Sequence, residues 1–580
     1  MNQAAERIVF ADNGDGTVTA VIQILYQGAA PKFSWLLPIS TVPTGKNIAV
    51  ASNLAFQRLQ TATNPQYNLT TRVEGNCKPP PPSQGFGGAT SSPSGGGVLV
   101  AGTPGNNGGV VVEASGTVGA FDWSVISVDA SLADPATAAV KWLEDNGFTV
   151  GDGTPGLVRP YLADGLFLLA LKLTKGADTG SIRPIVLTYD AARPMIPIKL
   201  TAVAANDDMG VMTWLLASAR GVPQNYLSLE LNEAKINWFN ANSNYNAVVT
   251  AAANEAGGQG FVTEFAGANP LSGVLWTPQD QSQWTTFQSQ SYATFEQAFA
   301  ASYGIWGAWD GFWDAVRDVV TLSPPLTLAD LQKCPSCYPG QVQFASGATS
   351  ATFVDALRTQ VTDPVKDLQT LFDTHAYVTR LYTTMSAAEM SVDPLFTFNP
   401  SLPTLSNVHS AERVIECRPE LYQTEAPWRV ELDQGVVRGT GAQAQARIWP
   451  AFDSQPANSR IVRLAATGPG VVLEDNGQVI SDALDDYAAM LPTSGGSAGT
   501  GSGGNSGNSG GVITSSGGAL DAGSGGTVAG AGNGGTGAAP SAGGGCSLAL
   551  HGEASPWALP ALAALAGVLR RRRPKASLRP

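Results

Sequence analysis

Residues 493–545 are almost wholly Gly, Ser, Ala, Asn and Thr, with too few large apolar side chains to offset the entropy of ordering them. Any packed body must therefore lie before residue 493, and residues 493–545 are expected to form a flexible stalk. The stalk runs into Gly543-Gly544-Gly545-Cys546-Ser547, a short polar patch, and an uncharged apolar run at residues 557–569 closed by Arg570, Arg571, Arg572 and Arg573. Thirteen residues rising about 1.5 Å each fall short of roughly 30 Å of hydrocarbon, so the run suits a temporary stop better than a permanent span. The four arginines would hold that end in the cytoplasm and leave everything before Cys546 outside. Residues 546–573 thus read as a removable C-terminal sorting signal with a short transmembrane-like run, followed by a cytoplasmic tail at 574–580.

The same order of stalk, Gly-Gly-Cys, apolar run and arginine cluster resembles the myxobacterial C-terminal sorting signal (MYXO-CTERM). The resemblance implies processing and lipid attachment at Cys546. It also implies two partners, the membrane and a C-terminal sorting protease, and a place at the outer surface of the cell envelope. Export conflicts with the other end, where Met1 leads through Asn-Gln-Ala-Ala-Glu-Arg straight into a strand-like run without a signal peptide. The expectation is that the chain begins inside a longer reading frame.

Charge excludes one class of partner. Lys and Arg number 33 against 46 Asp and Glu, a formal net charge of −13, whereas neutralising a phosphate backbone needs clustered cations. Nucleic acid is not expected to bind. Only 14 % of residues are charged, with Gly 66 and Pro 38, against about 25 % charged in an ordinary soluble domain.

Within the body, residues 1–78 form the N-terminal part of an α+β ectodomain. Ile8, Val9 and Phe10, a turn at Asp12-Asn13-Gly14-Asp15-Gly16, and alternating Val18, Ala20, Ile22, Ile24 and Tyr26 give a strand-turn-strand signal. The Asp/Asn/Gly turn is not a calcium loop, because glycines fall at two ligand positions and no Glu completes it. A further strand is expected at 33–39 and a short helix at 53–60. Residues 79–119 open with four prolines and continue in Gly, Ser and Thr, which predicts a long surface loop. Residues 120–280 read as sheet-rich. Strands are expected at 121–128, 166–173, 185–189, 196–203 and 211–216, and a helix over 138–144 stops at Asn146-Gly147.

Residues 281–395 read as helix-rich. Trp284, Phe287, Tyr292, Phe295 and Phe299, then Trp306, Trp309, Trp313, Val316 and Val320, recur mostly at three- and four-residue intervals, the stripe of helices packed on a sheet rather than a ligand platform. Helices are expected to continue over 351–362 and 364–381. Strands return in residues 396–492, for instance at 428–432. The fold class is α+β, with largely antiparallel sheet and a helical segment packed on it.

Several runs of the body resemble a family known only as domain of unknown function 2330. They are Ala5-Glu6-Arg7-Ile8-Val9-Phe10, Val21-Ile22-Gln23-Ile24, Phe33-Ser34-Trp35-Leu36-Leu37-Pro38, residues 161–173, Pro184-Ile185-Val186-Leu187-Thr188-Tyr189, Met195-Ile196-Pro197-Ile198-Lys199-Leu200-Thr201-Ala202, Thr379-Arg380-Leu381-Tyr382, and residues 390–394. The resemblance implies an exported bacterial protein and supplies no activity. Members typically carry a signal peptide and a Cys-Gly-Gly-Phe-Phe-Cys-like segment just before the point where this chain starts.

Cys77, Cys334, Cys337 and Cys417 are an even set in a chain that looks exported, and disulfides are the default. Proximity favours a Cys334–Cys337 bridge, which leaves Cys77 to Cys417; two further upstream cysteines would widen the choice to fifteen pairings. A redox role for Cys334-Pro335-Ser336-Cys337 would need a helix N-terminus to lower a thiol pKa. Zinc would need a second cysteine pair, and only His375 and His409 lie in the body. Gly495-Gly496-Ser497-Ala498-Gly499 matches a nucleophile elbow only by composition, and Gly45-Lys46 lacks the rest of a phosphate loop. The best polar cluster is Asp373, His375, Arg380, Glu389 and Asp393, more in keeping with a solvated face or structural ion pair than with an acid–base centre. No cofactor is expected. The reading is an exported, surface-anchored structural or binding protein of the envelope; the alternative is an exported enzyme centred near His375 or on Cys334 and Cys337.

Overall fold

The computed structural model describes residues 2–27, 33–45, 47–79, 109–151, 153–174 and 182–491. Apolar alternation in the first residues builds an antiparallel hairpin, Asn2–Asp12 with Thr17–Gln27. Its turn is closed by side chains: Asp12 Oδ1 accepts from the Gly14 amide at 3.1 Å and Asp15 Oδ1 from the Thr17 amide at 2.9 Å. Gly14 and Gly16 take φ of +73° and +90°, values that favour glycine.

This hairpin sits inside a ten-stranded sheet. The strand order is Val471–Asp475, Asn458–Arg463, Leu227–Leu231, Gly260–Ala268, Tyr377–Met385, Ala205–Ala217, Asn2–Asp12, Thr17–Gln27, Ile185–Asp190 and Ile48–Val50. Most ladders are antiparallel. Asn2–Asp12 with Ala205–Ala217 and Leu227–Leu231 with Gly260–Ala268 are parallel.

Both faces of the central strands are covered, so successive side chains serve two cores. Val9, Ala11 and Trp214 face a helical layer that includes Trp284, Phe287, Phe295, Trp306, Phe312 and Phe353. The aromatic stripe is therefore core, as its helical spacing indicated. Ile8, Phe10 and Ile22 face a four-stranded sheet through Phe121, Val125, Leu169 and Leu171. That sheet runs Ser34–Ile39, Phe167–Leu173, Phe121–Val128 and Val110–Val118. Its outer face, with Ile126, Leu168 and Ala170, is covered by helices Pro135–Asp145 and Thr154–Ala163. A second four-stranded sheet joins Gln66–Glu74 in parallel to Val408–Glu416, which continues antiparallel into Trp428–Leu432 and Gly435–Gly439. The described residues belong to a compact unit spanning Met1–Gly496. The architecture is α+β with many antiparallel ladders.

Three local expectations are corrected. Residues 196–203 alternate like a strand, yet Ile198–Thr201 is a turn of helix. Pro194 and Pro197 supply no ladder N–H, and Asp393 Oδ1 accepts from the Lys199 amide at 3.1 Å at the helix start. The helix expected over 364–381 ends at Asp373, and Tyr377–Met385 is a central strand, as its β-branched and aromatic content suits. Residues 110–118, expected to be loop, form an edge strand that hairpins onto Phe121–Val128 through Gly119 at φ +55°. Ser350–Leu357 runs through a π-turn at Arg358–Thr362 into Asp363–Asp373, where Pro364 occupies a first-turn position that needs no N–H.

Among the described residues no helix is long and apolar enough to cross a membrane. The stalk, Cys546, the apolar run and Arg570, Arg571, Arg572 and Arg573 lie outside the described residues.

Candidate functional site

The five residues of the sequence-derived polar cluster are dispersed: among the described residues no hydrogen bond or ion pair joins any two of them. Asp373 accepts from Gln369 Nε2 at 2.8 Å. Both ring nitrogens of His375 lie against backbone oxygens, Nδ1 2.8 Å from Leu371 and Nε2 3.1 Å from Asp12. That histidine clamps the end of a helix to the first hairpin. Glu389 accepts from the Ser386 amide at 2.6 Å, and Asp393 accepts from the Tyr161 hydroxyl at 2.7 Å.

Arg380 departs furthest from the sequence reading. It stands on a central strand, opposite Trp214 on one side and Phe265 on the other. Its Nε lies 2.6 Å from Glu264 Oε2, with the two side chains 2 % and 1 % exposed. Tyr245 donates to the other Glu264 oxygen at 2.7 Å. Arg380 Nη1 donates to Thr63 Oγ1 at 3.0 Å and to the Gln60 carbonyl at 3.2 Å. The pair is shut between sheet and helices, where it locks packing and is closed to substrate.

Both cysteine pairs are bridged, Cys77 to Cys417 and Cys334 to Cys337. Cys334 follows the C-terminus of the six-residue helix Leu328–Lys333. The negative end of that helix opposes thiolate formation, the reverse of a redox motif. Among the described residues no group of three or more His, Cys, Asp or Glu is placed to hold a metal ion.

The concave feature with chemical content lies elsewhere. A cleft of about 290 Å³ opens between the first hairpin, the strand Ser34–Ile39, the start of Thr154–Ala163 and the segment around Ile198–Thr201. Its walls include Ile24, Tyr26, Trp35, Leu157 and Val203, and Glu6 lines it. Glu6 occupies the inward register of Ile8 and Phe10, opposite Ile24, on the face turned to the four-stranded sheet. A register shift between Gln3 and Ala5 marks a bulge beside it, a device that re-aims side chains near sites.

Glu6 is 2 % exposed. Oε2 accepts from Gln3 Nε2 at 3.2 Å and Thr201 Oγ1 at 3.3 Å; among the described residues Oε1 accepts nothing and no ion pair reaches the group. Burial pushes its pKa up from 4.5 to about 7, with the two hydrogen bonds only partly opposing this. The neighbouring cations turn away. Arg7 sits on the opposite face, donating to Gln23 at 3.1 Å, and Lys199 Nζ reaches Asp393 at 3.4 Å. Asp393, alone of the sequence-derived cluster, bears on the cleft indirectly, by holding the short helix that brings Thr201 to Glu6. Glu6 is absent from the sequence-derived candidates, although a carboxylate in the apolar register of Ala5-Glu6-Arg7-Ile8-Val9-Phe10 is a readable signal.

No curated protein and no solved structure matches the chain significantly. A family model described as "uncharacterized protein conserved in bacteria" matches residues 1–397, a span that takes in the whole lining of the cleft and the Arg380–Glu264 pair. The chain belongs to that family, DUF2330.

Proposed function

We propose that this is an exported protein held at the outer surface of the cell envelope through Cys546, and that its body works by binding a small molecule in the Glu6 cleft. The observation that carries the binding reading is the cleft itself. It is concave and mostly apolar, and it contains one buried carboxyl with an unpartnered oxygen, the composition of a ligand site. Export is supported by the two disulfides, which persist in oxidising compartments, and by the resemblance of the stalk, Cys546, apolar run and arginine cluster to a myxobacterial C-terminal sorting signal. On this reading the membrane and a sorting protease are its processing partners. The enzyme alternative loses its two centres, since His375 is a structural clamp and Cys334 is bridged behind a helix C-terminus.

The test is native mass spectrometry of the full chain isolated from the surface of its own host, beside a variant with the cleft filled. Gly151→Trp suits this, because the atoms nearest a Cβ there, of Val203 and Thr154, lie at ordinary contact distance. A small molecule retained by the wild type and lost from the variant is expected. Identical ligand-free masses for both, from protein found in the cytosolic fraction, would contradict the proposal.

A further inference from the structure

Among the described residues no counter-charge reaches Glu6, an unusual carboxyl to leave in an apolar cleft. An isolated charge in such a place is costly unless something pairs with it. Gln3 and Thr201 satisfy one oxygen of Glu6, and among the described residues the cations on adjoining elements are committed elsewhere, Arg7 to Gln23 and Lys199 to Asp393. Among the described residues Tyr26 is the other titratable group lining the cleft, and burial raises its pKa, so it stays neutral at physiological pH. An anionic ligand would meet the Glu6 charge unscreened. A neutral donor would hydrogen-bond the carboxylate and leave its charge buried, whereas a cationic donor makes the bond and neutralises that charge as well. The aromatic walls point the same way, since Trp35 and Tyr26 present rings able to attract a cation. The volume of about 290 Å³ lies at the small end of ligand sites, which run from roughly 300 to 1,000 Å³.

Resting on the reading of the cleft as a binding site, we infer that its ligand is a small amphiphilic amine, with an aromatic or alkyl body against Trp35, Leu157 and Val203 and a protonated nitrogen on Glu6 Oε1. Gln3 and Thr201 hold the carboxylate so that the free oxygen meets the ammonium group. Binding draws Glu6 into its ionised form, and below neutral pH it competes with protonation of that carboxyl.

Isothermal titration of the full chain with three indoles of similar size tests this: tryptamine, its neutral isostere tryptophol, and indole-3-acetate. At pH 8 tryptamine is expected to bind at least tenfold more tightly than tryptophol, and indole-3-acetate not measurably. The preference should fall by roughly tenfold or more at pH 5.5, where Glu6 is mostly protonated, and vanish in Glu6→Gln, whose folding is checked by its thermal midpoint. Tryptamine binding that is unchanged in Glu6→Gln would overturn the amine assignment. Tryptophol binding as tightly as tryptamine, with both abolished by Gly151→Trp, would overturn the amine assignment and leave the cleft standing as a binding site. Failure of all three indoles at pH 8 would overturn the amine assignment; in that case retention of a non-amine molecule in native mass spectrometry would keep the cleft reading, and its absence would end both.

Discussion

Replacing Glu6 by Gln should make the protein more stable at pH 8 and leave it almost unchanged near pH 4.5. Glu6 is 2 % exposed, and its pKa rises from 4.5 to about 7 on folding. Between those two values the native state holds a proton that the unfolded state has released, so stability falls as pH rises through the interval and levels off above it. At about 1.4 kcal/mol per pH unit, the interval between 4.5 and about 7 corresponds to roughly 3 kcal/mol. Glutamine keeps the shape, and its carbonyl can accept from Gln3 and Thr201 as Oε2 does, but it carries no charge to desolvate. For a body of this size, 1 kcal/mol moves Tm by about 1 °C, so the variant should melt about 3 °C above the wild type at pH 8 and within about 1 °C of it at pH 4.5. Differential scanning calorimetry at constant ionic strength reads both. An offset independent of pH, or a variant less stable at pH 8, would refute the claim that an uncompensated buried charge sits in the cleft.

Arg380→Met should cost about 3–5 kcal/mol in urea unfolding, because Glu264 is left buried without its cation; the double change with Glu264→Gln should recover much of the loss. The Cys77–Cys417 bridge closes a sequence separation of 340 residues and Cys334–Cys337 one of 3. In the chain-entropy limit these are worth about 6 and about 2 kcal/mol, so calorimetry of the paired alanine variants should show the larger fall in Tm for the first. Asp310 accepts from the Asn53 amide at 2.7 Å and the Leu54 amide at 3.2 Å, at the start of a helix whose own N-cap, Ser52, makes no side-chain cap hydrogen bond. Asp310→Ala should therefore cost about 1–2 kcal/mol and raise hydrogen exchange in the first turn of Asn53–Thr63.

Elements whose own period decides their fate were legible in the sequence. The alternation of Val18, Ala20, Ile22 and Ile24 marked a strand, and Trp284, Phe287, Phe295 and Phe299 marked helices, because each pattern records which face is buried. Alternation misled at Ile196, Ile198 and Leu200, where Asp393, distant in sequence, caps a helical turn. It also failed for Tyr377–Met385, buried on both sides between Ala205–Ala217 and Gly260–Ala268; a strand with two buried faces shows no period to separate it from a helix. That misreading placed Arg380 beside His375 on a solvated helix and concealed its partner Glu264. The cleft was hidden for a different reason. Glu6 carries a local signal, but its walls come from residues around 33–37, 149–157 and 197–204, and only the packing of the two sheets brings them together.

The anchored, exported state is tested most directly by intact-mass and C-terminal peptide analysis of the protein from the membrane fraction of its own host. The expected result is a chain ending at Cys546, carrying added lipid mass there, with Cys77, Cys334, Cys337 and Cys417 all oxidised. A chain retaining Arg570 to Arg573 without lipid, with the four body cysteines as free thiols, would contradict it.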